Sequence, residues 1–256
     1  MIHTVDFHIP ELECMKVYPK TLFYKGNPFL LTRQKISIVG TRHPNSYTKI
    51  MTAEIARKLS EVGMCIVSGG AQGVDGISHN SAGASNTIMV AGTGLDKRYP
   101  AIHEKLIANI EHEGLVLSQF EADAPSLKWN FPLRNELIVA LGSALVVTQA
   151  DVNSGTMHSI AYAQKLKKPI YVIPHRLGES EGTNALLQKG FATPIYNIDD
   201  FISSFGLIEH KQDDAFLTYC ETHPFYHEAV EKFADKVFEY ECLGKITIEN
   251  GRIKCV

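Results

Sequence analysis

The residues of this chain that could do chemistry are cations and glycines placed directly after short apolar runs. Arg42 stands in the turn Gly40-Thr41-Arg42-His43-Pro44, which follows the apolar residues 36–39. A guanidinium at that place could hold phosphate oxygens through two parallel hydrogen bonds. An isolated loop arginine more often pairs with a surface carboxylate, so the turn on its own indicates anion binding only weakly.

A second turn is rich in glycine and joins an apolar run to a helical pattern. It reads Ser68-Gly69-Gly70-Ala71-Gln72-Gly73-Val74-Asp75. Backbone N–H groups of such a turn, at the positive end of a helix, can surround an anion. Tight packing of a strand against a helix also requires glycine, but two adjacent glycines after Ser68 exceed that need. Anion binding is the favoured interpretation.

A third segment interleaves cations with aromatic rings. Residues 125–135 contain Lys128, the single tryptophan Trp129, Phe131, Arg134 and Asn135. Cations attract a phosphate backbone, and a ring can stack on an unpaired base for about 1 to 3 kcal/mol with little dependence on the base. We expect at least one of the two rings to belong to the core instead. Phe131 is the predicted stacking residue.

A fourth turn, Asp151-Val152-Asn153-Ser154-Gly155-Thr156, precedes another helical pattern. The hydroxyls of Ser154 and Thr156 and the N–H groups around Gly155 could hold a further phosphate. They could equally cap the helix in the ordinary way. The sequence leaves both interpretations open.

Signals for a cofactor, a metal or catalysis are missing from the sequence. Neither glycine-rich turn completes G-x-G-x-x-G, and no G-x-x-x-x-G-K-[ST] occurs, so no nucleotide cofactor is predicted. His223 and His227 are four residues apart, but H-E-x-x-H is absent and a third ligand is not evident. No Ser/His/Asp order or carboxylate pair stands in the turns. We therefore expect a binding protein without catalytic residues, and not an enzyme.

The turns are positioned by repeated strand and helix units. Continuous apolar strands that alternate with helices favour a parallel sheet covered on both faces, and a helix is predicted from Tyr47 to Val62. We predict an α/β, Rossmann-like, doubly wound and mostly parallel sheet, in which ligands bind beyond the carboxyl ends of the strands. The predicted strands are residues 36–39, 65–67, 87–90, 115–117, 144–147 and 170–173.

The chain changes character near Gly206. Residues 1–206 form the predicted Rossmann-like binding domain with a short N-terminal extension, whereas residues 207–256 carry a net charge of −4 within a chain of net charge −3. The second stretch has a helical pattern from Asp213 to about Cys242, and Asn250-Gly251 stands between two alternating runs, which is typical of a hairpin. We predict a small, winged-helix-like C-terminal module used for protein contacts.

Composition indicates a cytoplasmic protein with no membrane association. Its 256 residues are 45% hydrophobic and 21% charged, and the five cysteines are scattered rather than spaced as a disulfide framework or zinc site. The start of the chain lacks the basic and apolar segments of a secretion signal. No apolar stretch reaches the roughly 18 residues of a membrane span.

Taken in order, the motifs resemble those of the DprA (DNA-processing protein A, Smf) family over residues 18–205. The resemblance implies a Rossmann-like homodimer that binds single-stranded DNA, protects incoming DNA and helps to load the RecA recombinase during natural transformation, or competence. By position, Arg42, the Gly69-Gly70 turn, Lys128 and Phe131 match the DNA pocket of the family. Arg134, Asn135 and Ser154-Gly155-Thr156 match its motifs without an assigned role. The motifs are residues 38–42, 68–75, 92–100, 131–135 and 154–156.

Many family members carry an N-terminal helical domain, for which too few residues precede Tyr18. A shortened form is therefore expected. The enzyme alternative is the phosphoribohydrolase family, whose P-G-G-x-G-T-x-x-E motif would need a carboxylate where Ser159 stands. A second alternative is a Rossmann-like sensor that binds one mononucleotide in the same turns.

Overall fold

A computed structural model of the protein describes residues 1–205, 215–220, 222–242, 246–249 and 251–255. The chain divides into two compact units, Met1–Ile208 and Glu209–Val256. No helix within these described stretches is both long and apolar enough to cross a membrane.

The first unit is built on one sheet that has nine strands over the described residues, in the order β1-β2-β6-β5-β4-β3-β7-β8-β9. The seven strands from β6 to β9 are mutually parallel, and β2 and β1 extend the β6 edge in antiparallel pairing. The strands are β1 (His3–Thr4), β2 (Phe23–Gly26), β3 (Lys35–Val39), β4 (Cys65–Ser68), β5 (Thr87–Val90), β6 (Leu115–Ser118), β7 (Leu145–Val147), β8 (Ile170–Val172) and β9 (Thr193–Pro194). All six predicted strands are present, and the predicted doubly wound fold is confirmed.

Helices cover the sheet on both faces. The helices are α1 (Ser46–Glu61), α2 (Val74–Ala82), α3 (Glu104–Glu113), α4 (Asn130–Leu141), α5 (Thr156–Lys165), α6 (Glu181–Gln188) and α7 (Ile198–Ser203). Asn45 caps α1 by accepting a hydrogen bond from the Thr48 amide at 2.8 Å, so the helix begins one residue before its predicted start. Short 3-10 turns occupy Pro10–Cys14, Pro28–Thr32, Ala84–Asn86 and Ala101–His103.

Each wholly apolar strand serves two cores because successive side chains point to opposite faces. On β3, Ile36 and Ile38 pack with Ile55 and Leu59 of α1, whereas Val39 packs on the other face with the cluster that includes Leu137 of α4. This two-sided burial explains why the strands lack the polar alternation of half-exposed strands.

Strand order reverses beside β3, and this reversal positions the site. The chain passes from β3 through β4 and β5 to β6 on one side, and then returns to place β7 on the other side of β3. The loops after β3 and β7 therefore flank one crevice. They are joined where the Thr41 amide donates to the Gln149 carbonyl at 2.9 Å.

The second unit contains α8 (Ala215–Cys220), α9 (Tyr226–Cys242) and an antiparallel hairpin of β10 (Ile246–Glu249) and β11 (Arg252–Cys255). Its core includes Phe216, Val237, Ile246 and Ile253. The predicted hairpin is present, with Gly251 at φ +73°. Asp213 and Asn250 lie outside the described residues, and the winged-helix assignment stays a prediction.

Candidate nucleic-acid interface

Three adjoining cavities meet at Arg42, at the carboxyl edge of the sheet. The switch-point cleft, of about 430 Å³, lies between the loops after β3 and β7 and the start of α4. The aromatic cavity, of about 170 Å³, lies beyond β4 and β5. The α1–α2 cavity, of about 490 Å³, lies on the other side of the Arg42 loop. Arg42 lines all three.

The guanidinium of Arg42 is exposed and available to a ligand. Within the part of the chain that the structure describes, it makes no ion pair and no side-chain hydrogen bond. Pairing of Arg42 with a surface carboxylate, the alternative to anion binding, is therefore not observed among these residues. Lys128 is likewise exposed in the loop before α4, but it lines none of these three cavities.

The glycine-rich turn after β4 is buried at Ser68, Gly69 and Gly70 and exposed at Gln72. A Cβ at Gly69 would clash with the Arg134 guanidinium, and a Cβ at Gly70 would clash with the Met89 methyl group. The hydroxyl of Ser68 is fully buried and donates to the Ile38 carbonyl at 2.6 Å. Ser68 and Gly69 thus support the site from within, and of the three predicted residues only Gly70 lines a cavity. Packing accounts for the glycine at position 69, whereas the flexible end of Met89 could move away from a side chain at position 70, and anion binding by this turn stays a prediction.

Arg134 is a buried charge in the inner wall of the site. Its side chain donates to the Val90 carbonyl at 2.5 Å, and it lines both the switch-point cleft and the aromatic cavity. Burial lowers the pKa of Arg134, and attraction to the buried Asp75 opposes that change. Burial likewise raises the pKa of Asp75, whose carboxylate accepts from the Ala71 amide at 3.3 Å. Sequence reasoning gave Asp75 no role, although it closes the glycine-rich motif.

Phe131 is half-buried, and one side of its ring belongs to the site. The ring packs on Gly92, lies 6.0 Å from the Tyr99 ring and is 6.0 Å from the Arg134 guanidinium carbon. It lines both the switch-point cleft and the aromatic cavity. Trp129 is 65% exposed, so neither ring is a full core residue as expected for at least one of them. Tyr99 also lines the aromatic cavity, although the sequence analysis did not select it as a site residue. It lies within the motif at residues 92–100.

The turn before α5 presents uncommitted polar groups to the switch-point cleft. Helix α5 begins at Thr156 with no side-chain cap, and the Ser154 hydroxyl is buried without a hydrogen-bond partner among the described residues. Gly155 is exposed, with open space where a Cβ would stand. Capping is thus not the use of these groups, and the positive helix end favours an anion there. Asn135 lines the same cleft.

No group of three metal-ligating side chains occurs within the described stretches. His223 and His227 therefore have no third ligand there. These features together define a class: a doubly wound, Rossmann-like protein whose cationic cleft at the point of strand reversal offers a guanidinium, a helix start and an aromatic ring.

The comparisons with known proteins identify the group within this class. Residues 1–206 match the family described as DNA recombination-mediator protein A, and the chain belongs to that family. It is similar to the protein Smf of Escherichia coli, with 31% identity over 72% of this chain and 51% of that protein. It is also similar to the DNA processing protein DprA of Streptococcus pneumoniae, with 35% identity over 67% of this chain and 62% of that protein. The chain spans about half to three fifths of these curated relatives.

Two solved structures show the same fold at higher coverage. DNA processing protein A of Helicobacter pylori, whose structure concerns its single-stranded DNA binding mode, is 42% identical with a TM-score of 0.78, covering 80% of this chain and 95% of that one. DprA of Streptococcus pneumoniae is 30% identical with a TM-score of 0.74, covering 82% of this chain and 75% of that one.

Proposed function

We propose that this protein binds single-stranded DNA at the carboxyl edge of its sheet and acts in DNA recombination. The observation that carries the proposal is Arg42, whose guanidinium has no ion pair among the described residues and lies where the switch-point cleft and the aromatic cavity meet. Family membership and the DNA-binding relative from Helicobacter pylori support it. A single strand offers what this arrangement needs, which is a phosphate beside an unpaired base.

Phosphate binding falls to the switch-point cleft. Arg42 can hold two phosphate oxygens, and the Ser154 hydroxyl, which has no partner among the described residues, can donate to the same group at the start of α5. Arg134 lies in the wall behind, where the buried Asp75 offsets part of its charge. Because the contacts are to phosphate, we expect them to be independent of base sequence.

Base binding falls to the aromatic cavity. Its wall includes Phe131, Tyr99, Ile102 and Met89, and its volume of about 170 Å³ suits one flat ring. A base in a duplex is stacked and paired, and extracting it costs a few kcal/mol. Single strands should therefore bind more tightly than duplexes, and stacking should tolerate any base.

We further propose a binding protein and not an enzyme. Ser159, where the related phosphoribohydrolases need a carboxylate, is buried in the wall of the switch-point cleft. Among the described residues Asp75 is the one carboxylate lining that cleft, and its position beside Arg134 and the Ala71 amide commits it to structure. The further proposals of a homodimer, of RecA loading in natural transformation and of a cytoplasmic location rest on the family resemblance.

One titration tests the proposal against both alternatives. Fluorescence anisotropy would compare a single strand of about 20 thymidines, the matching duplex and thymidine monophosphate at several salt concentrations. We expect the single strand to bind most tightly, with log affinity falling steeply against log salt because several phosphates are contacted. Equal binding of the mononucleotide with a flat salt dependence would overturn the proposal in favour of a sensor. Release of free base from nucleotides by the wild-type protein, lost in an Asp75→Asn variant whose melting temperature is unchanged, would establish an enzyme.

A further inference from the structure

The α1–α2 cavity is a second cationic site that shares the Arg42 side chain with the switch-point cleft. Its lining carries four basic side chains and two amides, and none of its lining residues is acidic. The polar groups are Arg42, His43, Lys49, Gln72, Asn80 and His103. They come from the loop after β3, the first turn of α1, the glycine-rich turn, α2 and the 3-10 turn before α3.

Lys49 in the first turn of α1 lacks the ion pairs that Arg57 and Lys58 make further along the same helix. Lys58 contacts Asp199 at 2.5 Å and Glu54 at 3.4 Å, and Arg57 contacts Glu61 at 2.5 Å. Lys49 has no ion pair within the described part of the chain. Like charges gathered without a counter-ion oppose folding, and a bound anion offsets that repulsion.

His103 contributes a basic ring to the wall of the cavity beside α2. Its ring fills the space left by the absent side chain of Gly76, where a Cβ would clash with it, and its Nδ1 atom is buried without a hydrogen-bond partner among the described residues. Buried polar groups are nearly always paired. Helix α2 also begins after Gly73 with no side-chain cap, and the amide of its first residue, Val74, donates to the Thr41 carbonyl at 3.2 Å.

We propose that the α1–α2 cavity binds the phosphodiester next to the one held in the switch-point cleft. The DNA backbone would then run across Arg42 from one cavity into the other, with Lys49 and the two histidines as its additional contacts. This inference rests on the proposed function, because the shared ligand chemistry is a phosphate. A free phosphate ion has the same chemistry, and the experiment must separate the two sources.

Two variants test the cavity against a matched control. Lys49→Gln removes a charge from an exposed side chain, and Asn80→Asp places a carboxylate in a residue that lines this cavity but neither of the other two. Arg57→Gln removes the same charge from the same helix, two turns or about 12 Å further along. Its exposed pair with Glu61 contributes little to stability.

Anisotropy titrations of a 20-thymidine strand over a range of salt concentrations give the readout, with thermal melts to show that each variant is folded. We expect Lys49→Gln to flatten the slope of log affinity against log salt by about 0.7, the value for one phosphate on a single strand. Asn80→Asp should weaken binding most at low salt, and Arg57→Gln should leave the slope unchanged. Lys49→Gln and Arg57→Gln with the same slope and affinity would overturn the inference.

Competition with inorganic phosphate distinguishes a site for the DNA backbone from a site for a free phosphate ion. If the cavity holds backbone, millimolar phosphate at constant ionic strength should leave the difference between wild type and Lys49→Gln intact. If phosphate abolishes that difference, the cavity is a free-phosphate site and the assignment to DNA backbone is wrong. Failure of wild type to bind any strand would instead overturn the proposed function itself.

Discussion

The ring of Phe131 lies directly on Gly92, so closely that a Cβ at position 92 would stand 2.8 Å from the ring carbon Cδ1. Gly92 follows β5, and the Phe131 ring reaches it from the first turn of α4. Because Gly92 has no side chain, the Phe131 ring can pack against its backbone. This contact fixes the position of the ring in the wall that the switch-point cleft and the aromatic cavity share.

Gly92→Ala should displace that ring and weaken single-strand binding about 3- to 30-fold. The backbone at Gly92 does not lie in the left-handed region, so alanine adds crowding without backbone strain. In a Phe131→Ala background the same change should have no further effect on affinity, because there is no ring to displace. A double-mutant cycle by anisotropy measures this coupling, and strictly additive losses would show that Gly92 acts elsewhere.

Phe131→Ala should cost about 1 to 3 kcal/mol of single-strand binding, the range for one stacked base. Phe131→Tyr and Phe131→Trp should retain most of the binding because any flat ring can stack. Since the ring is half-buried, alanine should lower folding stability by less than the roughly 3 to 5 kcal/mol of a full core phenylalanine. Thermal melts and single-strand titrations of the same variants distinguish a stacking residue from a core residue. A large loss of folding stability with a proportionate loss of binding would show that Phe131 is a core residue.

Arg42→Ala should weaken binding to all strand sequences and flatten the salt slope by at least about 0.7. Lys128→Ala should act in the same sense but less strongly, because Lys128 lines none of the three cavities around Arg42. Substituting either residue leaves no buried acid unpaired, so melting temperatures should stay near wild type. Unchanged affinity and slope in Arg42→Ala would remove the main support for the phosphate site.

The sequence predicted the fold well because its signals are local. Apolar runs on β3 to β8 and the glycine or asparagine turns after them fix a two-sided parallel sheet, and the strand-end rule then places Arg42 and Ser154 at one edge. Exposure was harder to predict, since it depends on contacts between distant residues. Gly69 is small because Arg134 passes over it, and Trp129 is exposed although large. The α1–α2 cavity joins residues 42 to 103, and no sequence motif combines them.

Residues 1–206 should bind single strands without the second unit. The remainder of the chain, residues 207–256, has a net charge of −4 and should repel phosphate. The described residues that line the three Arg42 cavities belong to the first unit. A chain shortened to residues 1–206 should match the whole chain within a few-fold at one salt concentration. A hundredfold loss in a shortened chain that still melts cooperatively would place DNA contacts in the acidic unit.

His79 should make folding stability fall in acid. Its buried ring lies 2.7 Å from the Gly69 carbonyl through Nε2 and 2.6 Å from the Thr87 hydroxyl through Nδ1. The carbonyl can only accept, so Nε2 carries the hydrogen in the neutral ring. The single hydrogen of the Thr87 hydroxyl is then shared between Nδ1 and the Ile66 carbonyl, which lies 2.9 Å from that hydroxyl. Burial lowers the pKa of His79 to about 4. Compared with an exposed histidine, this shift disfavours the protonated ring in the folded protein by about 3 kcal/mol.

The direction in which folding stability changes with pH follows from proton binding. The folded protein binds this proton more weakly than the unfolded chain does, whose histidine titrates near 6.5. The contribution of His79 is therefore complete above pH 6.5 and is lost as pH falls toward 4. His79→Gln should lower the free energy of unfolding at pH 7.5, and the gap to wild type should shrink steadily on acidification. Buried Asp75 and the exposed histidines are present in both proteins, so their titrations cancel in the difference.

Urea unfolding of wild type and His79→Gln at several pH values between 7.5 and 4.5 measures that gap. A gap that stays constant across the range would mean that His79 is not held neutral by burial. Because the imidazole holds the Gly69 carbonyl, the same variant should also disturb Gly70 in the wall of the aromatic cavity. Weakened single-strand binding at pH 7.5, under conditions where the variant remains fully folded, is the expected second readout.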